Sequence, residues 1–266
     1  MNDAPVEPVT FHRLGHAYRP GQWVFRDLSG FLARGKIAAV LGTNGCGKTT
    51  LLKQLLRVLP PTEGKVNVLG KTAFVPQLFQ VAFDYTVRDM VLMGRASRVG
   101  LLSQPSARDE QSALVALDRF GLASLASRPF HELSGGQRQM VIFARALVAE
   151  AEILLLDEPM SSLDLQNQSV ILHAIHALSR ESGLTVLFTT HQPHHALAIA
   201  DHALLMFPGG GHFGPVASAL TDENLLALYG VEMKRVRFAS GSRQVETIVP
   251  LYPQINPHDE NNQAIE

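Results

Sequence analysis

The chain has 266 residues, 46% of them hydrophobic and 18% charged, with 23 Lys and Arg against 24 Asp and Glu for a net charge of -1. This excludes a disordered or collagen-like protein and leaves room for one or two domains with a core. Neutrality supplies no global field for nucleic acid or anionic lipid. The lone cysteine, Cys46, can form neither an internal disulfide nor a Cys-only zinc site.

The first ten residues are acidic and contain proline, unlike the basic start of a secretory signal. No window offers the roughly 20 apolar residues of a membrane span. A soluble protein of the cytoplasm is expected, held at a membrane only through a partner. Residues 9–41 read as strands: Val9, Phe11 and Leu14 nearly alternate, and a turn at Arg19-Pro20-Gly21 precedes a second strand over 23–31. After Gly47 the period changes, since Leu51, Leu52, Leu55, Leu56 and Leu59 recur at helical spacing and predict a helix over 48–59, before Pro60-Pro61. Strand patterning is absent over 86–148. There Thr86 with Asp89, and Ser106 with Asp109, look like capping boxes opening helices.

Strands return over 153–156, 184–189 and 203–207, with helices over 165–181 and 193–200 between them. That alternation predicts an α/β fold with a parallel sheet, split around an inserted helical segment. Residues 221–229 read as a capped helix stopped by Gly230, and 236–251 as two strands around Gly241. A polar tail from 253 is expected to be disordered.

Between the strand over 37–41 and the first helix lies GTNGCGKTT, residues 42–50, which fits G-x-x-x-x-G-K-[ST]. Glycines at 42, 45 and 47, with Asn44 and Cys46 between them, let successive N–H groups turn inward toward phosphate oxygens, and the helix start adds its dipole. Lys48 then contacts the β- and γ-phosphates, the Thr49 hydroxyl binds Mg²⁺, and Thr50 completes the loop. Many enzyme classes use such a loop, so it fixes nucleotide binding alone.

The run EILLLDEP, residues 152–159, is a buried strand ending in two carboxylates. Asp157 can hold Mg²⁺ while Glu158 polarises an attacking water, which favours hydrolysis over transfer. A second anion-binding helix start is written in ELSGGQRQ, residues 132–139, where Ser134, Gly135, Gly136 and Gln137 offer N–H donors. One chain with one nucleotide loop has no need of both elements. Two copies related by two-fold symmetry do, because each can lend its second element to the other's nucleotide.

With these motifs in this order, the sequence resembles an ATP-binding cassette (ABC) subunit of a membrane transporter over residues 9–229. The resemblance implies a P-loop NTPase core with an N-terminal antiparallel β subdomain and a helical signature subdomain, residues 1–235 in all, followed by a β extension over 236–252. It further implies that Gln77 in FVPQ couples the Mg²⁺ site to the membrane partner, that His191 in TTHQP is the switch histidine, and that Tyr18 in HAYRP stacks on adenine, with Trp23 as competitor. Asp164 in SSLD belongs to the loop that crosses a homodimer holding two ATP molecules and Mg²⁺.

The strings YTVRDMVLMGR, LDLQNQ and THQPHHALAIAD are similar to importers of siderophores, haem, cobalamin or molybdate. An iron chelate is the first expectation, with cobalamin, molybdate or tungstate, zinc, and a non-transport role such as iron-sulfur cluster assembly as alternatives. Integral-membrane permease subunits and, indirectly, a periplasmic or lipoprotein substrate-binding protein are the implied partners, at the cytoplasmic face of the membrane. No nucleic acid is expected. His194, His195 and His202 are taken as solvated neighbours of His191, since adjacent helical residues diverge by about 100°. Cys46 is a small loop residue or, alternatively, a thiol whose pKa is lowered by the helix start and Lys48.

Overall fold

The computed structural model describes residues 7–77, 84–96, 98, 104–161 and 163–253. Ser162 of the SSLD loop and the tail after Pro253 therefore lie outside the described residues. In chain order come β1 (Val9–Arg19), β2 (Gln22–Leu32), β3 (Ile37–Leu41), α1 (Lys48–Leu55), β4 (Glu63–Val68) and β5 (Thr72–Val75). Then follow α2 (Val87–Leu92), α3 (Ala107–Asp118), α4 (Gly135–Val148), β6 (Ile153–Leu156), α5 (Leu165–Ser182), β7 (Thr185–Thr190), α6 (Pro193–Ile199) and β8 (His202–Phe207). The last elements are β9 (Gly210–Pro215), α7 (Val216–Ala219), α8 (Asp222–Tyr229), β10 (Met233–Ser240) and β11 (Arg243–Pro250).

A six-stranded sheet runs in the order β5-β6-β7-β3-β8-β9, parallel except for β9, which lies antiparallel on β8. β3 is buried at all five positions, as a strand covered on both faces must be. Its alternate side chains serve two cores. Ile37, Ala39 and Leu41 join the helices of the insert and α5, α6 and α8. Ala38 and Val40 join α1 and a three-stranded antiparallel sheet, β2-β1-β4.

This order decides where chemistry can happen. The strands β5, β6, β7 and β3 are neighbours and all point the same way, so their carboxyl ends bring Gln77, Asp157, Thr190 and the loop after Leu41 to one edge.

The helical insert opens as its capping boxes predict. The Thr86 and Ser106 side chains accept from the N–H groups of Asp89 and Asp109, and each carboxylate accepts in return. Arg95 ties the segment together: its buried guanidinium donates to Asp109 at 2.7 Å, to the Val148 carbonyl at 3.1 Å, and to Glu150. The Ser106 hydroxyl and Arg95 together hold the Asp109 carboxyl down to a pKa of about 2.

Several expectations are corrected. The helix predicted over 48–59 stops at Leu55, because Arg57 turns into the left-handed region at φ 59°. β4, β5 and β9 were not predicted. The terminal strand pair extends over Met233–Ser240 and Arg243–Pro250, around the turn at Gly241.

Candidate active site

The loop from β3 to α1 depends on its glycines. Gly47 has φ 102°, and a Cβ there would lie 2.7 Å from both Phe25 and Val24. A Cβ on Gly42 would lie 2.5 Å from the Cys46 sulfur and 3.1 Å from the Met206 carbonyl. Side chains at either position would force the loop open. Gly47 caps α1 and, lacking a side chain, offers the first N–H groups of that helix no capping acceptor of its own.

Lys48 is buried, and its ammonium donates to the carbonyls of Gly42 at 3.0 Å and Thr43 at 3.2 Å. Its third neighbour is Glu158 Oε1 at 3.3 Å. The other Glu158 oxygen, Oε2, accepts from Gln77 Nε2 at 3.3 Å and lies 3.5 Å from His191 Nδ1. Glu158 itself sits at φ 44°, a conformation that costs a non-glycine residue on the order of 1 kcal/mol or more and is held by its surroundings.

Asp157 is buried and accepts on both oxygens: from Thr49 Oγ1 at 2.8 Å and from Thr189 Oγ1 at 2.8 Å. Thr189 also accepts the Glu158 N–H at 2.8 Å. One hydroxyl thus fixes the positions of both carboxylate residues. Sequence reasoning missed Thr189; the signal available was a pair of threonines closing a fully buried strand, in register beside the strand that precedes the loop.

Tyr18 is exposed and lines the cleft, its hydroxyl 3.1 Å from Thr50 Oγ1 and its ring edge-to-face with His16 at 4.6 Å. Trp23 is engaged elsewhere, with the Arg26 guanidinium 4.1 Å above its ring. The cleft holds about 650 Å³ and is lined by Asn44, Gly45, Lys48, Thr49, Gln77 and His191 among others.

Ser134 to Gln137 are absent from that lining. They form a second locus, where Ser134 caps α4: its Oγ accepts the Gln137 N–H at 3.3 Å, and Gln137 Oε1 accepts the Ser134 N–H at 3.1 Å. A Cβ on Gly135 would meet nothing within 4 Å, whereas one on Gly136 would meet Asn167 Nδ2 at 2.9 Å. Asp164 caps α5 and accepts from both the N–H and the side-chain amide of that same Asn167, at 2.8 and 3.1 Å. The structure therefore brings the signature and Asp164 together, apart from the cleft.

Two titration expectations are corrected. Burial raises the Cys46 thiol pKa and outweighs Lys48, so a lowered value does not hold. His195 is no solvated neighbour: it is buried, with Nδ1 3.4 Å from Thr190 Oγ1 and Nε2 3.3 Å from Gln168 Oε1. Burial first, then the two neighbouring histidines, lowers its pKa to about 4.

The donor set also fits a hard cation. A threonine hydroxyl and a carboxylate converge beside the phosphate loop at 2.8 Å, and Mg²⁺ is held by one or two carboxylates with the substrate's phosphates. Among the described residues, no helix is long and apolar enough to cross a membrane.

Comparison with known proteins agrees with this arrangement. The ABC transporter family profile matches residues 25–161. The chain is 42% identical to the molybdate import ATP-binding protein of Haemophilus influenzae, over 92% of this chain and 96% of that one. It is 36% identical to an iron chelatin transport ATP-binding protein of Helicobacter pylori, over 80% of this chain and 89% of that protein. A solved structure of a metal-chelate type ABC transporter in an inward-facing conformation superposes with a TM-score of 0.88 at 42% identity, covering 93% of this chain and 98% of its own. The chain belongs to the ABC transporter family, as an ATP-hydrolysing subunit of the importer class.

Proposed function

We propose that the chain is one half of a two-fold dimer that closes on two ATP molecules and powers import of a metal oxyanion or metal chelate through a membrane permease. The observation that carries this reading is the division of one molecule into two incomplete loci: a cleft with the phosphate loop and carboxylates, and an exposed Ser134–Asp164 locus that contributes nothing to the lining of that cleft. Leu165, beside Asp164, is 81% exposed, which suits a surface that a partner covers.

The roles follow from the contacts. Phosphate oxygens reaching Lys48 displace the Glu158 carboxylate from its ammonium. Glu158 is then free to accept a proton from water, a role worth about 10²- to 10⁴-fold, while Gln77 and His191 hold its other oxygen in place. Thr49 and Asp157 hold Mg²⁺, which neutralises phosphate charge when bound. Asn44, Gly45, Cys46 and Gly47 contribute backbone donors, Thr50 steadies Tyr18, and the Tyr18 ring offers a face to adenine. In the partner subunit, Ser134, Gly135, Gly136 and Gln137 meet the γ-phosphate.

Residues 1–235 form the cassette in this reading, with the insert over 86–148 directed at the permease. The permease in turn receives cargo from a periplasmic or lipoprotein binding protein, and the ATPase works at the cytoplasmic face. Similarity at 42% to a molybdate relative, against 36% to an iron chelatin one, extends the cargo class from iron chelates to metal oxyanions.

Glu158→Gln is expected to abolish phosphate release while retaining ATP and trapping a dimer in size-exclusion chromatography. Mixing inactive Lys48→Ala and Ser134→Arg subunits should restore activity at one site per heterodimer. Wild-type turnover by Glu158→Gln would remove Glu158 as base, and failure of the mixture would remove the exchange of loci.

A further inference from the structure

β7 ends in two threonines, and successive residues of a strand point to opposite faces. Thr189 holds the two carboxylate residues at the end of β6. Thr190 begins a second set of hydrogen bonds on the other side. Its Oγ1 accepts the N–H of Gln192, the residue after His191, at 3.1 Å and lies 3.4 Å from His195 Nδ1. Across that ring, Nε2 lies 3.3 Å from Gln168 Oε1. Gln168, in the first turn of α5, donates through its amide to the Leu163 carbonyl at 3.0 Å and the Met160 carbonyl at 3.3 Å. Asp164 is the next residue after Leu163.

The direction of every bond is fixed. Two carbonyls can only accept, so the Gln168 amide nitrogen faces them and its oxygen faces His195. That oxygen requires a proton on Nε2. Burial keeps the ring neutral, with a pKa of about 4, so Nδ1 is bare and takes the Thr190 hydroxyl proton. The Thr190 oxygen is left to accept from Gln192. Every side chain in the series is matched, and Thr190 and His195 are 4% and 2% exposed, so little water reaches a link that opens.

We propose that His195 and Gln168 are positioning residues that couple the turn carrying the switch histidine to the loop carrying Asp164, and so couple one nucleotide site to the site in the partner subunit. The proposal rests on the two-fold reading above, which gives Asp164 a partner's nucleotide to meet. Neither residue lines the cleft, so each acts through others.

Two further observations support the coupling. Both ends are tied to groups that nucleotide disturbs or that a partner meets: His191 Nδ1 lies 3.5 Å from Glu158 Oε2, and the Gln168 N–H donates to the Asp164 carbonyl at 2.8 Å. The two segments also leave almost no room to slip. The space bounded by Glu158, Met160, Ser161, His191 and His195 is about 10 Å³, no more than one water needs. If nucleotide moves the His191 turn while the Asp164 loop stays, a buried donor or acceptor is orphaned. Moving both together keeps the series closed, which is how a hydrogen-bonded network carries a shift from one site to another.

The test first reads the loop within one chain. The full chain carrying Cys46→Ser and Leu165→Cys is labelled on the introduced thiol with an environment-sensitive fluorophore and diluted until it elutes as a monomer. Mg-ATP should change the emission. Added to this background, His195→Phe or Gln168→Met removes the hydrogen bonds at similar volume and should cut that change by more than half, while calorimetry finds ATP affinity within about threefold. Either variant decides the matter if the other fails to fold. A full response in the variants overturns the proposal, as does no response in the parent or a signal lost only in step with ATP binding.

The second arm places His195→Phe in the Lys48→Ala chain of the Lys48→Ala and Ser134→Arg mixture. That chain lends the working site only its Ser134 and Asp164 locus, so a role confined to its own nucleotide predicts no effect. Coupling predicts a rate lower by about fivefold or more. An unchanged rate overturns the link to the partner's site. If the parent mixture is itself inactive, the two-fold reading falls, and the monomer response still judges the link between the two loops.

Discussion

Two helix starts, α1 and α4, come from sequences that both suit an anion, and the structure finishes them in opposite ways. α1 begins at Gly47 with a left-handed backbone and no capping side chain, so its first donors face no capping box. α4 begins at Ser134 inside a closed capping box, with Gln137 answering it. The first is ready for phosphate before any arrives. The second is a finished helix end that must exchange one set of hydrogen bonds for another, which suits an element that acts only when a partner's nucleotide is presented.

The comparison can be broken most strongly at Gly47. Gly47→Ala combines a positive φ with 2.7 Å approaches to Phe25 and Val24, and should cost about 2–4 kcal/mol in loop strain. Titration with a fluorescent ATP analogue should show affinity reduced more than tenfold. Ser134→Asp comes next. Aspartate caps as well as serine, so the melting temperature should stay within a degree or two while ATPase falls at least 100-fold through repulsion of the partner's nucleotide; retained activity would mean that α4 faces no phosphate. Ser134→Ala is milder, losing about 1 kcal/mol of helix stability, read by thermal unfolding.

The smallest effect separates α4 from α3, whose capping box contains an acid. Because the folded pKa of Asp109 lies at about 2, below its usual 3.8, its contribution is fully present above the usual value and lost as pH falls through about 2. Amide exchange in residues 107–118 should accelerate over that window. The Ser134–Gln137 box holds no titrating group and should not follow.

Much of this was legible because it depends on local spacing. Thr86 with Asp89 and Ser106 with Asp109 close their boxes whatever surrounds them, and the phosphate loop carries its own backbone instructions in its glycines. β4 and β9 escaped because GlyLysValAsn in one and paired glycines in the other have little strand preference; their pairing with β1 and β8 places them. Thr189 escaped for a related reason, since its partners Asp157 and Glu158 lie just past the end of another strand. His195 was misjudged because neighbours diverging on a helix do not share one environment, and one of the two had to turn inward against Gln168. α1 ended early through the left-handed turn at Arg57, a choice that leucine spacing does not record.

The Tyr18 hydroxyl is tied to Thr50, on the helix that follows the phosphate loop, and His16 supports the ring from its edge. A phenol ring offered face-on, as proposed for Tyr18, reads no donor or acceptor pattern, because every nucleobase has a π-face. Fuel choice in this motor should then be lax: guanosine triphosphate should drive it within several-fold of adenosine triphosphate, leaving the preference to whichever is more abundant in the cell.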